Sequence, residues 1–306
     1  VEAHGRTPHM LMSRPDQDAN LVACQFISDI MRRVDMADKW SYHAVHEGDA
    51  VFGMSASRLS DVYRDAAMIV NLHGGTIPRP EHTATRRLVY LETDPVVIQA
   101  YVAENRAVDV DFLKMHNAYF SYGENYGAPD CGVPQSPQFD FRPTRQPIVL
   151  DFWPYDTSEA SVFTTIGNWN QYQDVKVDGE TYSWSKRIEF LKFLDLPRSS
   201  GQPLELALSQ VGPEDRALLA EHGWRVADAL QFSYAPFLYR RYIAQSRAEF
   251  TVAKDQNVRL RSGWFSDRSA AYLASGRPVV TQDTGFGNIL PTGSGLFSFA
   301  TGEEAA

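Results

Sequence analysis

The second half of the chain is constrained most tightly by a repeated alternation. The β-rich runs VFTTIGNW, PLELALSQ, GWRVADA, AEFTVA, RPVVTQD and GLFSFA follow one another, and helical patterns at 183–195, 213–222, 236–246 and 266–275 separate most of them. Short apolar runs bounded by turn residues read as buried strands, and strands joined through helices form crossover units. Such units build a parallel sheet covered on both faces. The expected class is therefore α/β. Parallel sheets bind ligands beyond the carboxyl ends of their strands, so the residues that follow each strand are the first candidates for function.

The first half carries fewer strands. Leu21, Cys24, Phe26, Ile27, Ile30, Met31 and Val34 recur at helical spacing across Asn20–Met36, and a second helix is expected at 57–67. AMIVNLHGGT and RRLVYLETDP read as two buried parallel strands, followed by helices near 96–105 and 109–116 and a short strand, AYFSYGE. Pro129, Pro134, Pro137, Pro143 and Pro147 then break up residues 127–147, where a domain linker is expected. A chain of 306 residues is long for one core and suits two α/β domains of about 150 residues each. The expected domains are 1–147 and 148–306. The opening VEAHGRTPHM and the closing GEEAA, which reads as the first turn of a helix, point to truncated termini: a first strand missing from one domain and a final crossover helix from the other.

A net charge of −9 without any Lys/Arg run excludes a nucleic-acid groove as the expected partner. No stretch reaches the ~18 apolar residues of a transmembrane helix. Cys24 and Cys131, the two cysteines of the chain, read as reduced thiols of a cytoplasmic protein.

Against that acidic background, residues 251–287 stand out. Lys254, Arg259, Arg261 and Arg268 concentrate positive charge there. Ser262, Gly263 and Ser266 lie around the start of a helix whose free N–H groups and dipole favour an anion. The plain alternative is that Ser266 only caps the helix, Gly263 turns the chain and the arginines are solvated.

The pattern R-S-x-x-Y-L-A-S-G-R-P-V-V followed by Q-D-T-G, residues 268–285, resembles the donor-site motif of GT-B glycosyltransferases. With NLHGGT, LVYLETDPV, YGENYGAPDC, FTTIGNW and LPTGSGLFSF, the chain is most similar to bacterial glycosyltransferase-like proteins distantly related to the CgeB-like group. The resemblance implies two Rossmann-like domains with parallel sheets facing across a cleft. It implies a nucleotide-diphosphate sugar as donor substrate, an unidentified acceptor, and neither a metal nor a permanently bound cofactor. Arg268 would then contact the diphosphate, helped by Ser269, with Lys254 as a second cation. Gly167, Asn168 and Trp169 would form a loop near the phosphates, and Asp283, Thr284 and Gly285 the acidic turn facing the donor sugar. The chain departs from the family where many retaining members carry two glutamates, since Gly263 and Ala271 occupy those positions. Asp267 is a candidate substitute, and Ala271 reads as helix packing.

In the first domain, His73 and Gly74 follow a strand, and an imidazole there suits removal of a proton from an acceptor hydroxyl. Glu92, Asp94, His116, Glu124 and Asn125 are further acceptor-side candidates, each with a structural alternative as cap or core residue. The D-V-D at 109–111 sits at a helix start and reads as a cap rather than a metal motif. No H-x-x-x-H, C-x-x-C, G-x-S-x-G or G-x-G-x-x-G pattern is present. The expected activity is metal-independent sugar transfer. A nucleotide-sugar epimerase and a non-catalytic sugar-nucleotide or glycan-binding protein are the alternatives.

Overall fold

Each of the six β-rich runs of the second half is a strand in the computed structural model, which describes residues 1–5, 16–155 and 159–306. The chain divides into two compact units, one formed by Val1–Leu91 with Asp111–Tyr119 and the other by Glu92–Val110 with Phe120–Ala306.

The first unit contains β1 (Glu2–Ala3), β2 (Ser41–Ala44), β3 (Ala50–Gly53), β4 (Ile69–Leu72) and most of β5 (Leu88–Glu92). β1 and β2 pair in parallel and β2 and β3 antiparallel, a separate three-stranded sheet the sequence did not foretell. A strand is thus present at residues 2–3, where none was expected. β4 runs parallel to β5 from Ile69 opposite Leu88 to Leu72 opposite Leu91. The helix Ala19–Arg33 forms as its periodicity predicts, starting at Asp18, whose carboxylate accepts the N–H groups of Asn20 and Leu21.

The remaining strands are β6 (Ala118–Ser121), of which Ala118–Tyr119 count with the first unit, and β7 (Phe141–Pro143), β8 (Phe163–Asn168), β9 (Asp174–Val177), β10 (Glu180–Ser183), β11 (Leu204–Ser209), β12 (Arg225–Asp228), β13 (Ala248–Thr251), β14 (Val279–Gln282) and β15 (Leu296–Phe299). The dominant sheet of the second unit has the order β12-β11-β8-β13-β14-β15, and every neighbouring pair is parallel. Counted from β8, this is the 3-2-1-4-5-6 order of a doubly wound dinucleotide-binding sheet. Strand order reverses between β8 and β13, which makes their carboxyl ends a topological switch point. The two strands pair only at Phe163 with Ala248 and Thr164 with Glu249, whereas β8 and β11 pair along six residues. A fork therefore opens between β8 and β13.

Apolar faces fill the space on the sheet. Trp169, Phe190, Phe193, Leu196, Leu206, Trp224, Phe250 and Phe299 form one buried cluster, and Ile243, Phe265, Ala271, Tyr272, Val279 and Phe286 another. Each such side chain contributes roughly 1.5–3 kcal/mol on burial. The hairpin β9–β10, absent from the sequence reading, packs Val175 and Val177 against Val96, Ala100, Val133 and Leu260. That packing draws the proline-rich stretch expected as a linker into the core of the second unit.

Candidate functional site

Ser266 has extended backbone angles, and its Oγ accepts the N–H of Arg268 at 3.2 Å, so the helix Asp267–Ala274 begins with a side-chain cap. The Arg268 side chain then turns into the fork between β8 and β13. Its Nη1 donates to Ile166 O at 2.9 Å, Nη2 to Thr251 Oγ1 at 2.9 Å, and Nε to Glu249 Oε1 at 2.5 Å. The guanidinium thereby closes the gap left where the strands stop pairing. Burial opposes its charge, but the Glu249 carboxylate outweighs that and holds the group firmly protonated. Gly167 lies alongside, where an added Cβ would stand 3.7 Å from Arg268 Nη1.

Two lysines share this field. Lys254, just after β13, is nearly buried; its Nζ pairs with Asp94 and sits 4.0 Å from the centre of the Trp184 ring. Burial lowers its pKa and Asp94 opposes the shift. Trp184 Nε1 donates to the same carboxylate oxygen at 2.8 Å. Lys186 follows the β9–β10 hairpin and is 8% exposed, with Nζ 5.7 Å from the Trp264 ring. Among the described residues no hydrogen bond or ion pair engages that ammonium. Burial, reinforced by Arg268, pushes its pKa well below the usual lysine value. A nine-tenths buried cation without an anion is costly.

The acidic turn after β14 is a second focus. Asp283 accepts from Arg261 Nη1 at 2.8 Å and from Gly285 N at 2.9 Å. Arg261 also donates to Asp130 at 2.7 Å, and that pairing, with donors from Asn125 and Asn288, holds the Asp130 carboxyl down at about 2. Asn125 Nδ2 donates to Arg261 O, while its backbone N donates to Ser262 O. Thr284 accepts the Gly263 N–H through its carbonyl and donates Oγ1 to Trp264 O at 2.7 Å. Three loops are thus knitted together through Asn125.

This knitting explains the missing glutamates. Gly263 has φ +79°, and a Cβ there would run into the backbone of Asn125. Ala271 is 2% exposed inside an apolar cluster. Neither position has room for a carboxylate. Asp267 is exposed, and its Oδ1 accepts the Arg268 N–H at 3.0 Å.

Several expected contacts are rearranged. Trp169 is fully buried, stacked on Phe190, with Nε1 bonded to Asp215 at 2.7 Å, so it anchors the core instead of lining a phosphate loop. Asn168 is exposed and accepts from Ser209 Oγ. Ser262 is buried and donates to Asn257 Oδ1 at 2.8 Å, and Ser269 is buried as well, which removes both hydroxyls from a ligand-facing role. Glu92, Asp94, Glu124 and Asn125, expected on the acceptor side, belong to the unit that carries the helix Asp267–Ala274. Glu92 is buried and accepts from Tyr126 Oη at 3.0 Å and from Ser121 Oγ; burial lifts its pKa to about 7 against the pull of those donors. Glu124 forms a two-point pair with Arg145 at 2.7 and 2.8 Å.

In the first unit, His116 is buried, with Nδ1 on Phe112 O and Nε2 3.0 Å from Asn71 Nδ2. Burial lowers its pKa, so it is a neutral core histidine rather than an acceptor contact. His73 is exposed at the end of β4 with φ +60°, and Gly74 beside it has φ +65°. Asp109 of the D-V-D pairs with Arg106 at 3.0 Å inside the first turn of Ala107–Lys114.

Lys186 and Glu249 escaped the sequence reading. An acid inside the apolar run AEFTVA was a legible signal for a buried charge pair. Lys186 carried none, because the hairpin that delivers it was absent from the reading and the residue itself fell within the helix expected at 183–195. Among the described residues no helix is long and apolar enough to cross a membrane, and no group of three or more His, Cys, Asp or Glu is placed to hold a metal ion.

No family model and no curated protein matches the sequence. Among solved structures, the chain is similar to that of Anabaena Alr3699/HepE in complex with UDP and glucose, at 13% identity over 81% of this chain and 68% of that one, with a TM-score of 0.48. It is also similar to AviGT4, a glycosyltransferase involved in avilamycin A biosynthesis, at 14% identity over 86% and 69% with a TM-score of 0.41. Both likenesses are too slight to carry an argument, and the α/β assignment rests on the strand order itself.

Proposed function

We propose that the protein is a glycosyltransferase that seats the diphosphate of a nucleotide sugar at the switch point between β8 and β13. The observation that supports this most is the unpaired Lys186 ammonium beside Arg268, at the N-terminus of a capped helix. A diphosphate arriving there gains the helix dipole and a partner for Lys186, while Lys254 adds further positive potential.

In the reaction, the bond between the anomeric carbon and the diphosphate oxygen breaks, and an acceptor oxygen bonds to that carbon. The diphosphate departs with the electron pair, and its growing charge is what Lys186, Arg268 and the helix N-terminus stabilise. On this reading His73 takes the acceptor hydroxyl proton and Asp283, oriented by Arg261, accepts hydrogen bonds from the donor sugar hydroxyls. Neither role calls for a protein-bound metal.

Incubation with a panel of nucleotide sugars and candidate acceptors, following nucleoside diphosphate release, tests the assignment. Release that depends on acceptor and falls about 10²-fold in His73→Ala, the usual scale of general-base effects, supports it. Conversion of the donor to its epimer without release would instead establish an epimerase.

A further inference from the structure

One residue before Lys186, the chain borders a separate cavity of about 380 Å³, walled by the loop that follows β8 and by the segment that follows β10. That volume is at the small end of the range for ligand pockets, roughly 300–1,000 Å³. Its charges do not favour an anion. Arg187 spends its guanidinium on Asp215, with Nε and Nη2 at 2.7 and 2.8 Å, and the remaining charged lining residue, Asp174, is an acid. One wall is rigid, because Ser185 Oγ is bonded to the carbonyl of the buried Trp169 at 3.1 Å and to Asn170 Oδ1 at 3.3 Å.

The Tyr172 hydroxyl accepts from Asn170 Nδ2 at 3.3 Å, and two further lining groups are uncommitted. Among the described residues neither the Gln171 amide nor the Asp174 carboxylate has a hydrogen-bond or ion-pair partner. Tyr172 presents a ring that is 89% exposed. An amide offers donors and an acceptor, a carboxylate accepts from two adjacent hydroxyls, and an aromatic face packs against C–H groups. Together they match a ring that is polar at its edge, apolar on its face and uncharged.

We infer that this cavity is a saccharide-binding subsite for one neutral sugar ring, distinct from the cation-lined switch point. The subsite stands on its own geometry and does not require the protein to bind a nucleotide.

Saturation-transfer NMR on the intact protein with millimolar maltose, cellobiose and N,N′-diacetylchitobiose tests it. At least one should show transfer, with affinity falling about tenfold or more, the scale of one good contact, in both Tyr172→Ala and Gln171→Ala. Lys186→Ala should leave that affinity unchanged. Both substituted side chains lie at the surface, and circular dichroism confirms that the variants fold. No transfer to any of the three sugars, or transfer indifferent to both substitutions, overturns the inference. Transfer abolished by Lys186→Ala would place the sugar at the switch point and overturn it too.

Discussion

Arg268 Nε lies 2.5 Å from Oε1 of Glu249, a carboxylate with no solvent exposure, at the point where β8 and β13 part. Each charge is tolerable only because of the other. Glu249→Gln should therefore cost about 3–5 kcal/mol in urea unfolding, the penalty for stranding a buried partner. A loss under about 1 kcal/mol would show that Arg268 is solvated instead. Arg268→Ala carries the same structural cost, so weakened ligand binding in that variant alone cannot identify a phosphate contact.

Lys186 behaves in the opposite way, because among the described residues no hydrogen bond or ion pair engages its ammonium, and the Glu249 and Asp267 carboxylates do not outweigh its burial. Lys186→Met should be neutral or stabilising, by on the order of 1 kcal/mol near neutral pH. The pKa of Lys186 is depressed when folded, so between that value and the ordinary 10.5 the unfolded chain binds more protons. Wild-type stability therefore rises with pH across that window and the advantage of the methionine variant shrinks. Denaturation of both proteins at several pH values checks the sign.

Glu92 gives a pH dependence in the other direction. Burial raises its pKa from 4.5 to about 7, so the folded state holds the extra proton between those values. Its contribution is complete below 4.5 and is lost as pH rises through about 7. Glu92→Gln should remove that decline, and urea midpoints at pH 5 and pH 8 should lie closer together in the variant than in the wild type.

Gly263→Ala tests the packing of three loops. Its φ of +79° disfavours any side chain, and a methyl group would meet the backbone of Asn125. The combined strain should cost about 2 kcal/mol or more, read as a lowered unfolding midpoint. Gly127→Ala, at φ +79° with open space around it, should cost less.

Much of the fold was legible because it depends on local pattern. The six parallel strands of the second unit and the helix capped by Ser266 follow from apolar periodicity and turn residues alone. Their order in the sheet, and hence the fork that Arg268 fills, depends on pairings between distant segments that leave no local trace. Trp169 shows the same limit, since its place after β8 suggested a ligand loop and only tertiary packing turns it into the core. The strands β2 (SYHA), β9 (DVKV) and β10 (ETYS) mix polar residues into their runs and did not register as strands, and the apolar β3 (AVFG) was missed with its partner β2. Missing the hairpin meant missing Lys186.

The central claim is that the switch point seats a diphosphate and that Lys186 is held ready for it. Calorimetric titration of the protein with UDP, GDP, ADP and dTDP, in two buffers of different ionisation enthalpy, tests it most directly. At least one nucleotide should bind, with proton uptake confined to pH values above the depressed pKa of Lys186, and Lys186→Ala should weaken binding about tenfold or more, one lost charge-assisted contact, without loss of stability. Absence of binding by all four nucleotides, or equal affinity in wild type and Lys186→Ala, would contradict the account.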